Sequence, residues 1–191
     1  MKNLRGSACF RKWKMFLSVC ALMLLSTNTV SAKEIEDANM SRQAYDACVK
    51  YANEYCICPE FVMAIIERES EGDPSATNGN CKGIMQISER WHTDRMKRLG
   101  VTDIYDTVGN IRVGVDYLSE LFLKYEDAAT VLMVYHGEKD AVSKASRGEI
   151  SDYAKGILER SHELEMLHET KMRKEREKKC TYQSFGVGWQ L

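Results

Sequence analysis

The amino-acid sequence predicts a mainly α domain with at most one short β-hairpin, on three observations. Apolar residues recur at three- and four-residue spacing through most of the chain, the pattern of helices that bury one face. The segment "AATVLMVYHG" at 128–137 is apolar nearly all round, as expected of a helix at the centre of a core. Strand-like alternation is confined to "GIMQIS" at 83–88. With 191 residues, 44% of them hydrophobic and 29% charged, the chain is long enough for one well-buried core and short for two.

The first segment stands outside that core. Lys2, Arg5, Arg11, Lys12 and Lys14 precede an uncharged apolar run at 15–25, and the small residues of Val30-Ser31-Ala32 come just before Lys33. This is the pattern of a secretory signal, residues 1–32, cut after Ala32; the run is too short for a comfortable membrane span. A membrane contact is expected only if the segment stays uncleaved. Cys20 is a poor lipidation site, because Val19 stands where a lipoprotein signal wants a small residue. Removing the basic residues makes the formal charge more negative than the -1 of the whole chain, so nucleic acid is not an expected partner.

Residues 33–40 are polar. From Ser41 onward, Ala44, Tyr45, Cys48, Ala52 and Tyr55 fall on one helical face. Pro59 opens a second helix, "PEFVMAIIERES", which must stop near Gly72 and Pro74. "TNGNCKG" is loop chemistry, and a helix around 90–99 carries Trp91. Ile111, Val115, Leu118, Phe122 and Tyr125 form the cleanest stripe, and "ISDYAKGILERSHELEMLHE" is helical again. "KMRKEREKK" then loses its apolar contacts, as a solvated helix end would, and the tail carries Tyr182, Phe185 and Trp189. The expected organisation is therefore 33–158 as the folded domain and 159–191 as a charged helical extension with a tail.

Of the 7 cysteines, Cys9 and Cys20 fall in the signal, leaving Cys48, Cys56, Cys58, Cys81 and Cys180. Export permits disulfides. Cys56 and Cys58 are too close to bond each other comfortably, so the expected pairing is one of them with Cys81, with plain buried thiols as the alternative. A zinc site lacks a second close pair or a neighbouring histidine.

One residue interrupts the pattern. Val62, Ile65 and Ile66 share a helical face, and the next position on that face is Glu69. A carboxyl there is partly desolvated and lies at the negative end of the helix dipole, and both effects favour its neutral form. A glutamic acid that keeps its proton near neutral pH is what general-acid cleavage of a glycosidic bond requires. The alternative is that Glu69 meets water with Glu67 and Glu71.

"ESEGDPSA", "GIMQI", "NIRVGVDYL", an apolar helix ending "VYHG" and "SDYAKGIL" follow one another in order. This ordered set resembles the soluble lytic transglycosylase family, over about half of the chain. The resemblance implies a lysozyme-like helical domain of the goose type, with the short hairpin near the active site, no cofactor and no metal. It implies Glu69 as the catalytic acid and base, and Ser70 as a residue that holds substrate. Gly83, Ile84, Met85 and Gln86 match the family's Gly-Leu-Met-Gln motif, in which Met85 and Gln86 would line the saccharide groove. Asn110 matches a structural asparagine, and Tyr153 a tyrosine that would hydrogen-bond the acid and favour its neutral form. Where the family reads Ala-Tyr-Asn, this chain has Val134, Tyr135 and His136, so Tyr135 and His136 are expected at the substrate, with pH-sensitive binding through the histidine.

Ordinary glycosidases need two carboxyl groups. Glu67 and Glu71 lie two residues either side of Glu69, which turns them away on a helix, and nothing brings Asp73 back. The missing partner favours the route the family implies, in which one glutamate cuts between N-acetylmuramic acid and N-acetylglucosamine and leaves a 1,6-anhydro end. The alternatives are a muramidase on the same scaffold and an idle glycan-binding or scaffolding component of an envelope-spanning machine. His162, Glu165, His168 and Glu169 do not have the spacing of a helical zinc motif, so a solvated helix face is expected there. The expected partners are peptidoglycan strands in the cell envelope and a targeting partner, since no separate wall-binding domain is evident; wall remodelling and local wall opening for an envelope, secretion or DNA-transfer (conjugation) machine both fit.

Overall fold

The computed structural model describes residues 37–185, with side chains through 175. The signal segment and the last residues of the tail lie outside the described residues. Among these, seven helices and three two-residue strands follow one another. No helix there is long and apolar enough to cross a membrane.

Local chemistry explains where the helices start and stop. α1 (Arg42–Glu54) begins where the Ser41 side chain accepts from the Ala44 N–H, and buries Ala44, Ala47, Cys48, Tyr51 and Ala52. α2 (Pro59–Ser70) has proline in its first turn and ends as Glu71 turns left-handed, its N–H returning to the Glu67 carbonyl. β1 (Thr77–Asn78), β2 (Cys81–Lys82) and β3 (Ile87–Ser88) form an antiparallel sheet in sequence order. This is one strand more than a hairpin, because the chain pairs again after the 83–86 turn. α3 (Glu89–Leu99) follows directly and stops at left-handed Gly100. α4 (Thr107–Tyr125) and α5 (Ala128–Tyr135) are capped by Asp106 and Asp127, whose carboxylates accept from Gly109 and Thr130 N–H groups. A short α6 (Ala141–Ser146) leads to the long α7 (Asp152–Phe185).

The core lies between these helices. Val62, Met63, Ile65 and Ile66 of α2, Ile111, Val115 and Leu118 of α4, and Val131, Leu132 and Met133 of α5 are all fully buried. α1 packs on α4, α5 on α4 and α7, and α2 on α7. Polar side-chain pairs between α2 and α7 run in opposite chain directions. Arg160 holds Glu67 at 2.7 Å and His168 meets Glu60 at 2.7 Å. Arg160 also donates to the Asp37 carbonyl, and Lys171 pairs with Asp37, so the residues before α1 are strapped to α7.

Two expectations are corrected here. The boundary expected at 158 falls inside α7, and Leu164, six residues beyond it, is fully buried with Ser161 close behind. The first turns of the supposed extension belong to the core. Cys81 is a free thiol, as are Cys48 and Cys58, so the expected bridge is absent. The Cys58 thiol donates to Glu60 and Glu165, partners that only the α2–α7 packing brings together, and burial with these carboxylates pushes it up to about 12. The Cys180 side chain lies outside the described residues.

The turn at 83–86 is the irregular part of the fold and the part that faces the site. Gly83 is left-handed, and a Cβ there would collide with the Asn110 side chain; a Cβ on Gly114 would collide with the Met85 sulfur. Asn110, fully buried at the start of α4, accepts from the Met85 N–H at 2.9 Å and donates to the carbonyls of Lys82 and Ile104 at 3.0 and 2.7 Å. Asn110→Ala would leave three backbone groups without partners. It is expected to cost about 3 kcal/mol in chemical unfolding, against no more than about 0.5 kcal/mol for an ordinary exposed polar-to-alanine change.

Candidate active site

Glu69 is in the last turn of α2, where the buried stripe meets the surface, and is half-buried. Its Oε1 accepts from the Tyr153 hydroxyl, which α7 delivers from 84 residues away. Tyr153 is itself only 7% exposed. The His136 ring, just past the end of α5, is stacked on Tyr153 with centroids 3.9 Å apart and planes 16° apart. The Arg68 guanidinium lies 5.9 Å from the centre of the same phenol ring.

The electrostatics of Glu69 follow from this placement. Burial pushes its proton affinity above the ordinary carboxyl range, and this is the largest effect. The Tyr153 hydrogen bond, then the nearby His136 and Arg68, act in the opposite direction without cancelling it. The contact expected with Tyr153 is present, but its effect is the reverse of the expectation. A phenol that donates to a carboxylate stabilises the charged form, and the neutral form is favoured by burial instead. Tyr153 remains a phenol, since burial, the Glu69 charge and the hydrogen bond to it all raise its pKa.

The remaining residues expected at the substrate build the 83–86 turn. Ser70 Oγ donates to the Ile84 carbonyl at 2.7 Å, and the Tyr135 hydroxyl donates to the Met85 carbonyl at 2.8 Å. The Gln86 amide donates to the carbonyls of Ala76 and Gly83 at 3.1 and 2.9 Å. Met85 is fully buried against Gly114, and its neighbour Ile84 is fully buried too, so Met85 does not line a groove. His136 is exposed beside Glu69, where a ligand could reach it. The Cys81 thiol stays protonated, raised by burial and then by the Glu69 charge, and does not pin the turn by a bridge.

Among the described residues, no second carboxylate figures among the influences on Glu69. Glu67 is taken by Arg160 and by the Asn39 N–H at 2.8 Å, and exposed Asp73 accepts from the Ser75 N–H and hydroxyl at 2.8 and 2.7 Å. Of the residues weighed as metal ligands, His168 pairs with Glu60 rather than facing water, Glu165 accepts from Cys58, and His162 and Glu169 are exposed. Among the described residues no three such side chains converge on a metal position.

Sequence reading missed an aromatic row leading away from Tyr135. Tyr117 is 5.5 Å from Tyr135 and His92 is 4.5 Å from Tyr117, by ring centroids. Burial first, and then the Arg95 charge, lower the His92 pKa to about 4, so this ring is neutral. Arg95 lies over Tyr117 and pairs with buried Asp116, which also accepts from Arg98 and from Tyr55 at 2.6 Å. Tyr117 follows Gly114 by three residues, the one signal that could have put it on the face of α4 that meets the turn.

A mainly α, lysozyme-like domain that presents one glutamate at the end of a core helix is the class that fold and site define. The chain belongs to the Transglycosylase SLT domain family, whose family model matches residues 46–155. A protein of Enterobacteria phage PRD1 named "Transglycosylase" is 36% identical over 85 residues, which are 44% of this chain and 31% of that protein. The chain thus matches about a third of that relative's length.

A raised pKa in the fold has a stability consequence. The native state holds the Glu69 proton more tightly than the unfolded chain, so stability is fully present below the ordinary carboxyl range and falls as the pH rises through the shifted value. Glu69→Gln is therefore expected to melt higher than the parent at pH 8 and to match it at pH 4, in thermal unfolding followed by circular dichroism.

Proposed function

We propose that this chain is an exported peptidoglycan lytic transglycosylase, with Glu69 as its acid and base. The observation that carries this reading is the partly buried Glu69 with a tyrosine donor on it and, among the described residues, no carboxylate acting on it. Membership of the family supports the reaction class.

Two opposed influences on one carboxyl fit a group that must change role within a turnover. Burial keeps Glu69 protonated before bond cleavage, so it can pass its proton to the oxygen between N-acetylmuramic acid and N-acetylglucosamine. Once ionised, it is held by the Tyr153 hydroxyl and the nearby Arg68 and His136, which stabilise the carboxylate until it acts again. It then takes the proton of the muramyl 6-hydroxyl, whose oxygen closes on the anomeric carbon to give the 1,6-anhydro ring. The proton count on Glu69 is restored, and neither water nor a second carboxylate is consumed. A hydrolase would need a base to activate water, and the nearby carboxylates Glu67 and Asp73 are engaged elsewhere.

Incubating residues 33–191 with purified peptidoglycan should release muropeptides with anhydro-muramic acid ends, lighter by one water than hydrolysed ones in mass spectrometry. Glu69→Gln is expected to lose about 10³-fold in rate, the scale of a general acid–base contribution. Reducing ends in place of anhydro ends would replace this reading with a muramidase, and no product from folded protein with a glycan-binding component.

Delivery by an envelope partner, if the charged end of α7 provides it, falls to residues beyond the packed turns, because Arg160, Leu164, His168 and Lys171 are engaged with the domain. A chain ending at 175 is expected to keep full activity on purified glycan while losing its normal localisation in cells. A chain ending at 158 is expected to unfold.

A further inference from the structure

His136 replaces the asparagine of the resembled motif, and the structure gives it a partner other than substrate. Its ring lies flat on Tyr153, and Tyr153 donates to Glu69, so an imidazole, a phenol and the carboxyl form one continuous contact from the surface inward. His136 is exposed, so it exchanges protons with solvent, and it lies at the C-terminal end of α5, where exposed carbonyls favour a positive charge. Imidazole is the side chain whose charge ordinarily changes near neutral pH, and an imidazolium stacked on a phenol is an attractive pair.

We propose that His136 is a positioning residue that couples Glu69 to ambient pH: the stack on Tyr153 holds its ring beside the acid, and from there its charge acts on the Glu69 carboxyl. The inference rests on the reading of Glu69 as the acid of the proposed reaction. When His136 is charged, the ionised Glu69 is stabilised; when it is neutral, that support is gone and Glu69 holds its proton more firmly.

The elements packed around His136 bring other titratable groups. Arg68 of α2 brings a guanidinium, and Asp116 of α4 is ionised, because hydrogen bonds from Arg98, Tyr55 and Arg95 outweigh its burial. Glu138, in the turn after α5, pairs with Lys144 of α6 at 3.3 Å. Tyr117, Tyr135, Tyr153 and the Cys81 thiol all have raised pKa values and remain protonated. Among these groups, His136 is the exposed imidazole stacked on the phenol that donates to Glu69. The effect of His136 on Glu69 has the required sign.

The test is a carbon-13 NMR titration of the Glu69 carboxyl in the full chain, with three substitutions. His136→Phe keeps the stack and removes the charge, His136→Lys keeps a charge and removes the ring, and His136→Gln is a second neutral form should the phenylalanine disturb folding. The two neutral variants are expected to move the Glu69 midpoint upward by about half a pH unit, the size of one charge several ångströms away near water. The lysine variant should titrate at or below the parent. The alkaline limb of kcat/KM on peptidoglycan should follow the same order. Midpoints that coincide in all four proteins would reduce His136 to a packing neighbour and overturn the proposal. If the midpoints move as expected but the parent yields no anhydro product, the coupling stands and the transglycosylase reading falls.

Discussion

The fold depends on one turn that cannot satisfy itself. Residues 83–86 run between β2 and β3 with left-handed backbone at Gly83 and Gln86, and several of their peptide groups point away from the sheet. Three helices supply the missing partners with one side chain each. Ser70 of α2 takes the Ile84 carbonyl, Asn110 of α4 the Met85 N–H, and Tyr135 of α5 the Met85 carbonyl. Because buried peptide groups without partners are costly, the turn holds the three helices in fixed relative positions as much as they hold it. Glu69 precedes Ser70, so the bond that fixes the turn also fixes the acid.

That linkage explains why residues matched to a saccharide-binding motif spend their polar groups on the backbone. Met85 and Gln86 look like groove residues by pattern. The structure buries the first and closes the turn on itself with the second. Their effect on a glycan passes through the position of Glu69 and the shape of the turn. A rigid support of this kind suits general-acid catalysis, where a displacement of about 1 Å in the proton donor is expensive.

The helices were legible from the sequence because their signals are local. Ser41, Pro59 and the stripes on α1, α2 and α4 lie within a few residues of what they determine. Glu69 was visible as a carboxylate on a buried stripe for the same reason. What could not be read depends on partners distant in the chain. Cysteine counting paired Cys81 with Cys56 or Cys58, yet the Cys58 thiol turns to Glu165, 107 residues on. Tyr153 came from a resemblance, and its sign was misjudged because burial and hydrogen bonding push opposite ways and only coordinates weigh them. The supposed boundary at 158 failed because residues assigned to a charged extension, Arg160 and Leu164 among them, are paired with or buried in the core.

The α2–α7 pairing shows why that long helix is part of the site. Glu69 meets Tyr153, Glu67 meets Arg160, and Glu60 meets His168, so partners on α7 advance as those on α2 retreat. A one-residue slip of α7 would rotate every one of these side chains by about 100° and separate all three pairs together. Glu60 stays ionised because its hydrogen bonds with His168 and Cys58 outweigh its burial, so a slip would leave a charge unpaired in a half-dry place. The two polar pairs further along α7 therefore penalise wrong registers more than they add to overall stability. What they select is the single register that puts the Tyr153 hydroxyl on Glu69.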